Sequence, residues 1–185
     1  MGWVTANSRP ELSSRDRALI TWASVIPDID GLGIVPELLT RNSSHPLNWW
    51  TEYHHVLGHN IGFALIWTVI LFWCGRHKWA TALLGFASFH LHLLGDLAGA
   101  RGPDGDQWPI PYLSPFSNQW QWTWSGQWPL NGWQNVLITG ILLAITLVLA
   151  RKRGYSPLGL FSTRGEAHFI SVLRRRFPMS GIARE

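Results

Sequence analysis

The stretch FHLHLLGD, Phe89 to Asp96, places two histidines and an aspartate inside an apolar run. Such groups are costly in a hydrophobic core or a bilayer unless each has a partner, and a metal ion is one such partner. His92 and Asp96 are four residues apart, about 40° around a helix, so both can reach one ion. His90 points to roughly the opposite side. It is expected to be a hydrogen-bonded core histidine, which is also the competing interpretation of His92 taken alone.

The composition around this stretch is typical of a membrane protein. Hydrophobic residues make up 46% of the 185 residues and charged residues 14%, whereas soluble domains contain roughly 25% charged residues. Many of the 13 tryptophans lie near the ends of apolar segments, where they favour a bilayer interface. Cys74 is the single cysteine, which excludes an internal disulfide and a thiolate zinc site.

Apolar segments predict an all-α fold, a helical bundle of about three to four apolar helices that cross a membrane. They span residues 17–27, 60–75, 79–97 and 133–150. The first is too short to span alone, and the second and third form a predicted helical hairpin. The last has about 18 uncharged residues, where a bilayer needs roughly 20. Residues 98–132, rich in Trp, Pro and Gly, predict a long irregular loop.

Residues 161–185 are expected to form a basic amphipathic tail after a membrane domain of residues 1–160. Thr163 and Glu166 match a capping box, which predicts a helix start. The apolar residues that follow have helical spacing and lie opposite three arginines: Phe169, Ile170, Leu173 and Phe177 against Arg174, Arg175 and Arg176. Two placements are open for this helix, on an anionic membrane surface or packed on the protein's own core.

The basic residues predict the orientation in the membrane. They flank the apolar segments at Arg15 and Arg17, at Arg76 and Lys78, and at Arg151 to Arg153. Because cytoplasmic loops carry an excess of Lys and Arg, all three clusters and the tail are expected in the cytoplasm. The opposite ends of the segments then bring acids and histidines together on the other side. The net charge of +4 reflects this topology, and no nucleic-acid partner is expected, since no basic stripe with stacking residues is present.

Two further stretches supply residues for this convergence, EYHHVLGHN (residues 52–60) and VIPDIDGLG (residues 25–33). His55 and His59, four apart, share a helix face, whereas His54 and His59 diverge by about 140° unless the helix begins between them. Spacing alone therefore favours His55 as a metal ligand. The two aspartates of the second stretch can turn toward one site, although an ordinary turn or helix cap also explains them.

The motifs VIPDIDG, HHVLGHN and HLHLLGD, in this order, resemble those of the membrane-bound metal-dependent hydrolases of the YdjM inner-membrane type over most of residues 15–160. The resemblance implies an integral protein of a bacterial inner membrane and a set of metal ligands: Asp28, Asp30, His54, His59, His92 and Asp96. It prefers His54 over His55. Members of the family usually carry a histidine near the amino terminus, and here none precedes His45. His55 and Gly58 also replace the usual Arg and Thr.

The family in turn is similar to zinc-dependent phospholipase C and single-strand nucleases, which are all-helical and hold clustered metals with His and Asp. This similarity implies hydrolysis of a phosphoester, a phospholipid or another phosphomonoester or phosphodiester, by a metal-activated water. It implies one to three divalent ions, zinc first, with manganese or iron as alternatives. Asp28 and Asp30 would bridge ions or act as a base. Glu52 is a second candidate base, although interaction with a helix dipole explains it at least as well.

Two non-catalytic functions remain alternatives. A metal carrier or channel would place its ligands along the depth of the membrane, and a structural metal site would have a closed coordination shell. Asp104 and Asp106 are better explained by a Pro-Asp-Gly turn than by a second ion site. No functional role is predicted for the remaining histidines, His45, His77 and His168.

Overall fold

The structure, a computed structural model, describes residues 1–102 and 105–178 and is helical in them, with no strand. Eight α-helices form in this part of the chain: α1 (Gly2–Ala6), α2 (Ser14–Ala23), α3 (Ile34–Thr40), α4 (Trp49–Tyr53), α5 (Ile61–Cys74), α6 (Lys78–Gly99), α7 (Trp133–Arg153) and α8 (Thr163–Arg176). Two 3-10 segments, Ile26–Gly33 and Pro157–Leu160, precede α3 and α8. The prediction of an all-α helical protein is confirmed.

Two helices, α6 and α7, are long and apolar enough to cross a membrane. A third span is available if α2 and the helical stretch Ile26–Thr40, which are bent by 51° against each other, count as one. The apolar helix α5 has 14 residues, or about 21 Å at roughly 1.5 Å per residue, which is less than the bilayer core of about 30 Å. Large apolar side chains stay exposed along α5 and α7, for example Ile66 (60%) and Leu143 (56%), as expected for surfaces that contact lipid.

Residues 1–137 and 138–185 form two compact units. In the first unit, α5 and α6 pair as the predicted hairpin, and α1 and α2 pack against α6. A buried core joins α5, α6 and the loop that follows, from Ala64, Phe89, Leu93 and Ile110. This unit contains all the predicted metal ligands.

The buried carboxylate of Asp16 connects the beginning of α2 to the turn between α5 and α6 by hydrogen bonds. It closes a capping box with Ser13 at the start of α2. It also accepts hydrogen bonds from the backbone N–H of Arg76 (2.7 Å), the Thr81 hydroxyl (2.9 Å) and His77 Nδ1 (2.8 Å). His77, which had no predicted role, therefore supports the fold at this end of the helices.

The long loop after α6 is irregular, as predicted, and contributes to the core through Ile110, which is fully buried. Tyr112 in this loop stacks on Trp122 with ring centroids 4.0 Å apart, and its hydroxyl lies 2.8 Å from His90 Nε2. The other nitrogen of His90 bonds to the carbonyl of Phe86 (2.8 Å). His90 is thus the hydrogen-bonded core histidine that its position on α6 predicts.

In the second unit, α8 packs against the segment Pro157–Leu160 and buries Ile170 and Leu173. These two residues pack on the protein itself, and placement of the helix on a membrane surface stays a prediction. The predicted capping box is wrong, because the hydroxyl of Ser162 caps the helix and Glu166 instead accepts a bond from the backbone N–H of Ser156 (2.6 Å).

Candidate metal centre

Four side chains from three parts of the first unit converge near the carboxyl end of α6. Asp28 comes from the 3-10 segment, His59 from the turn before α5, and His92 and Asp96 from α6. One ligand atom of each lies within 4.8 Å of those of all the others. His92 Nε2 is 3.0 Å from Asp96 Oδ2 and 3.3 Å from Asp28 Oδ1. The (i, i+4) spacing on α6 therefore brings both residues to one point, as the sequence predicts.

The atoms at this point are close together but poorly paired. His59 is fully buried, and its Nε2 lies 3.3 Å from Asp96 Oδ2 and 3.7 Å from Asp28 Oδ1. Nevertheless His59 Nε2, His92 Nε2 and Asp96 Oδ2 are buried without a hydrogen-bond partner, because the angles are unfavourable. An unpaired buried polar group costs about 1–3 kcal/mol. Imidazole nitrogens and carboxylate oxygens aimed at a shared centre are what a divalent cation binds, so the group can hold a metal ion.

Asp30 and His54 lie behind this group, not in it. The Asp30 carboxylate is buried and accepts hydrogen bonds from His54 Nδ1 (3.0 Å) and the backbone N–H of Gly58 (2.9 Å). Its second oxygen also lies 3.5 Å from His59 Nδ1, an electrostatic contact only, because that nitrogen has no hydrogen-bond partner. A carboxylate behind a ligating histidine fixes the orientation and tautomer of the ring. The structure thus gives Asp30 and His54 positions suited to support, whereas the family resemblance implied ligation.

His55 stacks on His59, with ring centroids 4.4 Å apart and an interplanar angle of 11°. Its backbone has φ +67°, so the chain turns here and the helix that would have placed the two residues on one face does not form. The ring is buried and its Nδ1 has no hydrogen-bond partner. Burial, together with His59 and His54, lowers the pKa of His55 to about 4. Burial also disfavours the charged form of His59, but Asp30 and Asp96 outweigh it and raise its pKa.

Two residues that the sequence analysis missed hold His59 in place. A Cβ at Gly58 would collide with the carbonyl oxygen of Pro27, so a glycine is required where the turn meets the 3-10 segment. Asn60 caps α5 by accepting from the N–H of Phe63 (2.8 Å) and donates to the carbonyl of Val56 (3.0 Å). An Asn directly before an apolar run is the signal for such a cap.

The other candidates lie apart from the group. Glu52 is exposed in the first turn of α4, and among the described contacts no hydrogen bond or ion pair joins its carboxylate to the four residues. This position suits the helix-dipole interpretation. Asp106, His45 and His168 are exposed, and Asp104 lies outside the described residues.

A tryptophan from the long loop lies beside the histidines. Trp108 presents its ring at steep angles to His55 (4.8 Å) and His54 (5.6 Å), and His54 also stacks on Trp50 (3.9 Å). These four rings line a cavity of about 330 Å³, a size typical of small-molecule sites. The spacing of the tryptophans in the sequence does not identify Trp108 as a residue of the site. Its position in a long loop is the available signal, because long loops often carry functional residues.

Comparison with known protein families gives a match over most of the chain. The model of a family described as YdjM inner membrane protein matches residues 2–172. No curated protein and no solved structure matches the chain.

Proposed function

The chain belongs to the YdjM inner membrane protein family, and from its metal centre we propose that it is a membrane-bound metal-dependent hydrolase that cleaves a phosphoester. The observation that carries the proposal is the uneven exposure of the four side chains. His59 and His92 are 0% and 12% exposed, Asp96 22%, but Asp28 50%. The three more buried residues hold the ion, and the side of Asp28 admits water and substrate. A catalytic ion needs such an accessible position.

The donor set suits zinc first and manganese or iron next, since imidazoles and carboxylates, here those of His59, His92 and Asp96, are usual ligands for these ions. When bound, the ion supplies Lewis acidity toward a phosphoryl oxygen and toward water. The protein does the rest: Asp30 holds His59 in one orientation, and His55 shields the face of that ring from solvent. Asp28, as the most exposed carboxylate, is placed to accept a proton from the attacking water.

The site belongs on the extracytoplasmic side of the membrane in this proposal. Lys78 and Asp96 stand near opposite ends of α6, about 27 Å apart at roughly 1.5 Å per residue, which is close to the thickness of the bilayer core. The basic turn at Arg76 and Lys78 favours the cytoplasm, so the metal centre lies at the other surface. The same rule places the basic carboxyl-terminal tail in the cytoplasm.

Metal analysis and hydrolysis assays of the purified protein test the proposal together. Wild type is expected to bind at least one equivalent of zinc, and His92→Ala and Asp96→Ala to lose it, while Asp106→Asn, an exposed control, keeps it. Asp28→Ala should retain most of the metal and lose activity toward p-nitrophenyl phosphate or bis(p-nitrophenyl) phosphate. Activity that is indifferent to a chelator, or unchanged metal content in the His92 and Asp96 variants, contradicts the proposal.

A structural metal site is the second candidate, because all four donors come from the protein itself. It predicts that chelation lowers the unfolding temperature and that the metal-loaded protein hydrolyses neither phosphoester. A metal carrier is less well supported, since the four donors cluster at one end of α6 and are not spread along it.

A further inference from the structure

An apolar groove runs beside the metal centre, on the side of the 3-10 segment and α4. It has a volume of about 270 Å³ and is lined mainly by apolar side chains: Ile29, Leu32, Pro36, Trp49, Tyr53 and Leu57. Among the described residues that line it, Asp30 alone is charged, and its carboxylate is occupied by His54 and the N–H of Gly58. The groove therefore offers no free charged group to bind a phosphate or another ion. Its polar side-chain groups are the Tyr53 hydroxyl and the Trp49 indole N–H, and the remaining apolar lining suits a hydrocarbon.

The groove lies next to exposed apolar side chains. Its walls Leu32 and Leu57 are 65% and 57% exposed, and Leu39, beyond the groove at the end of α3, is 81% exposed. Leu32 and Leu39 belong to the helical stretch Ile26–Thr40. Together with α2, this stretch is long and apolar enough to form a broken membrane span or a re-entrant loop. An exposed apolar surface of this kind on a membrane protein is covered by lipid chains.

Asp30 belongs to the lining of the apolar groove and also lies near the candidate metal centre. Its carboxylate lies 3.5 Å from Nδ1 of His59, one of the four residues of that centre. We infer that the groove holds the acyl chain of an amphiphilic phosphoester whose phosphate lies at the metal centre, on the open side of Asp28, whose neighbour Ile29 lines the groove. This inference rests on the proposed function. The substrate class that it names is a membrane lipid, in which one phosphoester bond is cleaved. Water adds to phosphorus, the ester P–O bond breaks, and the alcohol leaves with a proton from that water.

Chain-length dependence tests the inference in protein reconstituted in nanodiscs. The probes are p-nitrophenyl phosphodiesters that carry a methyl, butyl or dodecyl chain. Because burial of methylene groups is favourable, kcat/KM is expected to rise about tenfold or more from methyl to dodecyl. The double variant Leu32→Gln, Leu57→Gln should lose this rise and keep its activity on the methyl ester. Leu39→Gln is the matched control, an exposed leucine outside the groove, and should behave as wild type.

A binding measurement that needs no turnover separates the two proposals. A dodecyl phosphate with a photoreactive diazirine in its chain is expected to label Leu32 and Leu57, and excess dodecylphosphonate should suppress this labelling but not that of Leu39. Hydrolysis of all three probes at equal rates, or labelling at Leu32 that dodecylphosphonate leaves unchanged, overturns the inference and leaves the hydrolase proposal intact. Competed labelling of the metal-loaded protein without hydrolysis of any probe overturns the hydrolase and with it the substrate assignment.

Discussion

Replacement of Asp30 by asparagine tests whether the metal centre depends on a carboxylate that supports a ligand. Asparagine keeps the size of the side chain and one acceptor oxygen, so the hydrogen bonds from His54 Nδ1 and the backbone N–H of Gly58 are not both lost. What disappears is the negative charge 3.5 Å from His59 Nδ1. That charge favours the tautomer in which Nδ1 carries the proton and Nε2 is free for a metal ion.

The expected loss follows from this geometry. Partners behind a metal ligand typically contribute 10–100-fold to metal affinity, so Asp30→Asn should weaken zinc binding by about 1.4–2.8 kcal/mol. A residue that binds the ion directly contributes more. Asp96→Asn is therefore expected to weaken binding further than Asp30→Asn, whereas direct ligation by both residues, as the family resemblance implied for Asp30, predicts equal losses.

The assay is a competition titration of zinc against a chromophoric chelator, with Asp106→Asn as the exposed control. Thermal unfolding of each variant in excess chelator checks that the metal-free proteins fold alike. Zinc affinity of Asp30→Asn equal to that of wild type would refute the supporting role. A loss equal to that of Asp96→Asn would show instead that Asp30 is a ligand.

Three further predictions concern the fold and the protons at the site. Gly58→Ala forces a Cβ against a backbone carbonyl and should lower the free energy of unfolding by about 1–3 kcal/mol, whereas Gly140→Ala, with open space around it, should not lower it; equal melting temperatures would contradict this. Asp16→Ala removes the acceptor of the buried Thr81 hydroxyl and of two backbone N–H groups, and it should lower the free energy of unfolding by denaturant by about 3 kcal/mol or more. A decrease below about 1 kcal/mol would contradict the proposal that Asp16 links α2 to the turn between α5 and α6. Since the pKa of His59 is raised in the metal-free protein, a proton must leave the ring before an ion binds. Zinc affinity should therefore still rise with pH above about 6.5, the ordinary pKa of histidine; a pH-independent affinity would contradict this competition.

The apolar segments of the sequence predicted the long helices closely. Residues 60–75, 79–97 and 133–150 became Ile61–Cys74, Lys78–Gly99 and Trp133–Arg153, because a long apolar run with few breakers has one stable backbone in a membrane. The short helices α1, α3 and α4 were not predicted. Helices of five to seven residues are unstable alone and form only through packing, which single-sequence patterns do not reveal.

The convergence at the metal centre was also visible in the sequence, but the role of each residue was not. His92 and Asp96 lie on a regular helix, so their spacing determined their common direction. The histidines before α5 lie in a turn, where His55 has a positive φ and Gly58 meets a backbone carbonyl. In such a turn, contacts with another segment decide which ring faces the centre, and helical spacing is the wrong guide. Ligand and supporting residue therefore could not be separated.

The two ends of α6 are held to neighbouring segments by different interactions. At one end, Asp16 is satisfied by hydrogen bonds from three residues of the turn and α6, so it needs no ion. At the other end, His59 Nε2, His92 Nε2 and Asp96 Oδ2 are buried and have ion-pair contacts of 3.0 and 3.3 Å but no hydrogen-bond partner. A bound ion would satisfy these atoms only when the segments that carry them are in place. If an ion binds as proposed, we therefore expect it to stabilise this end of the helices in particular.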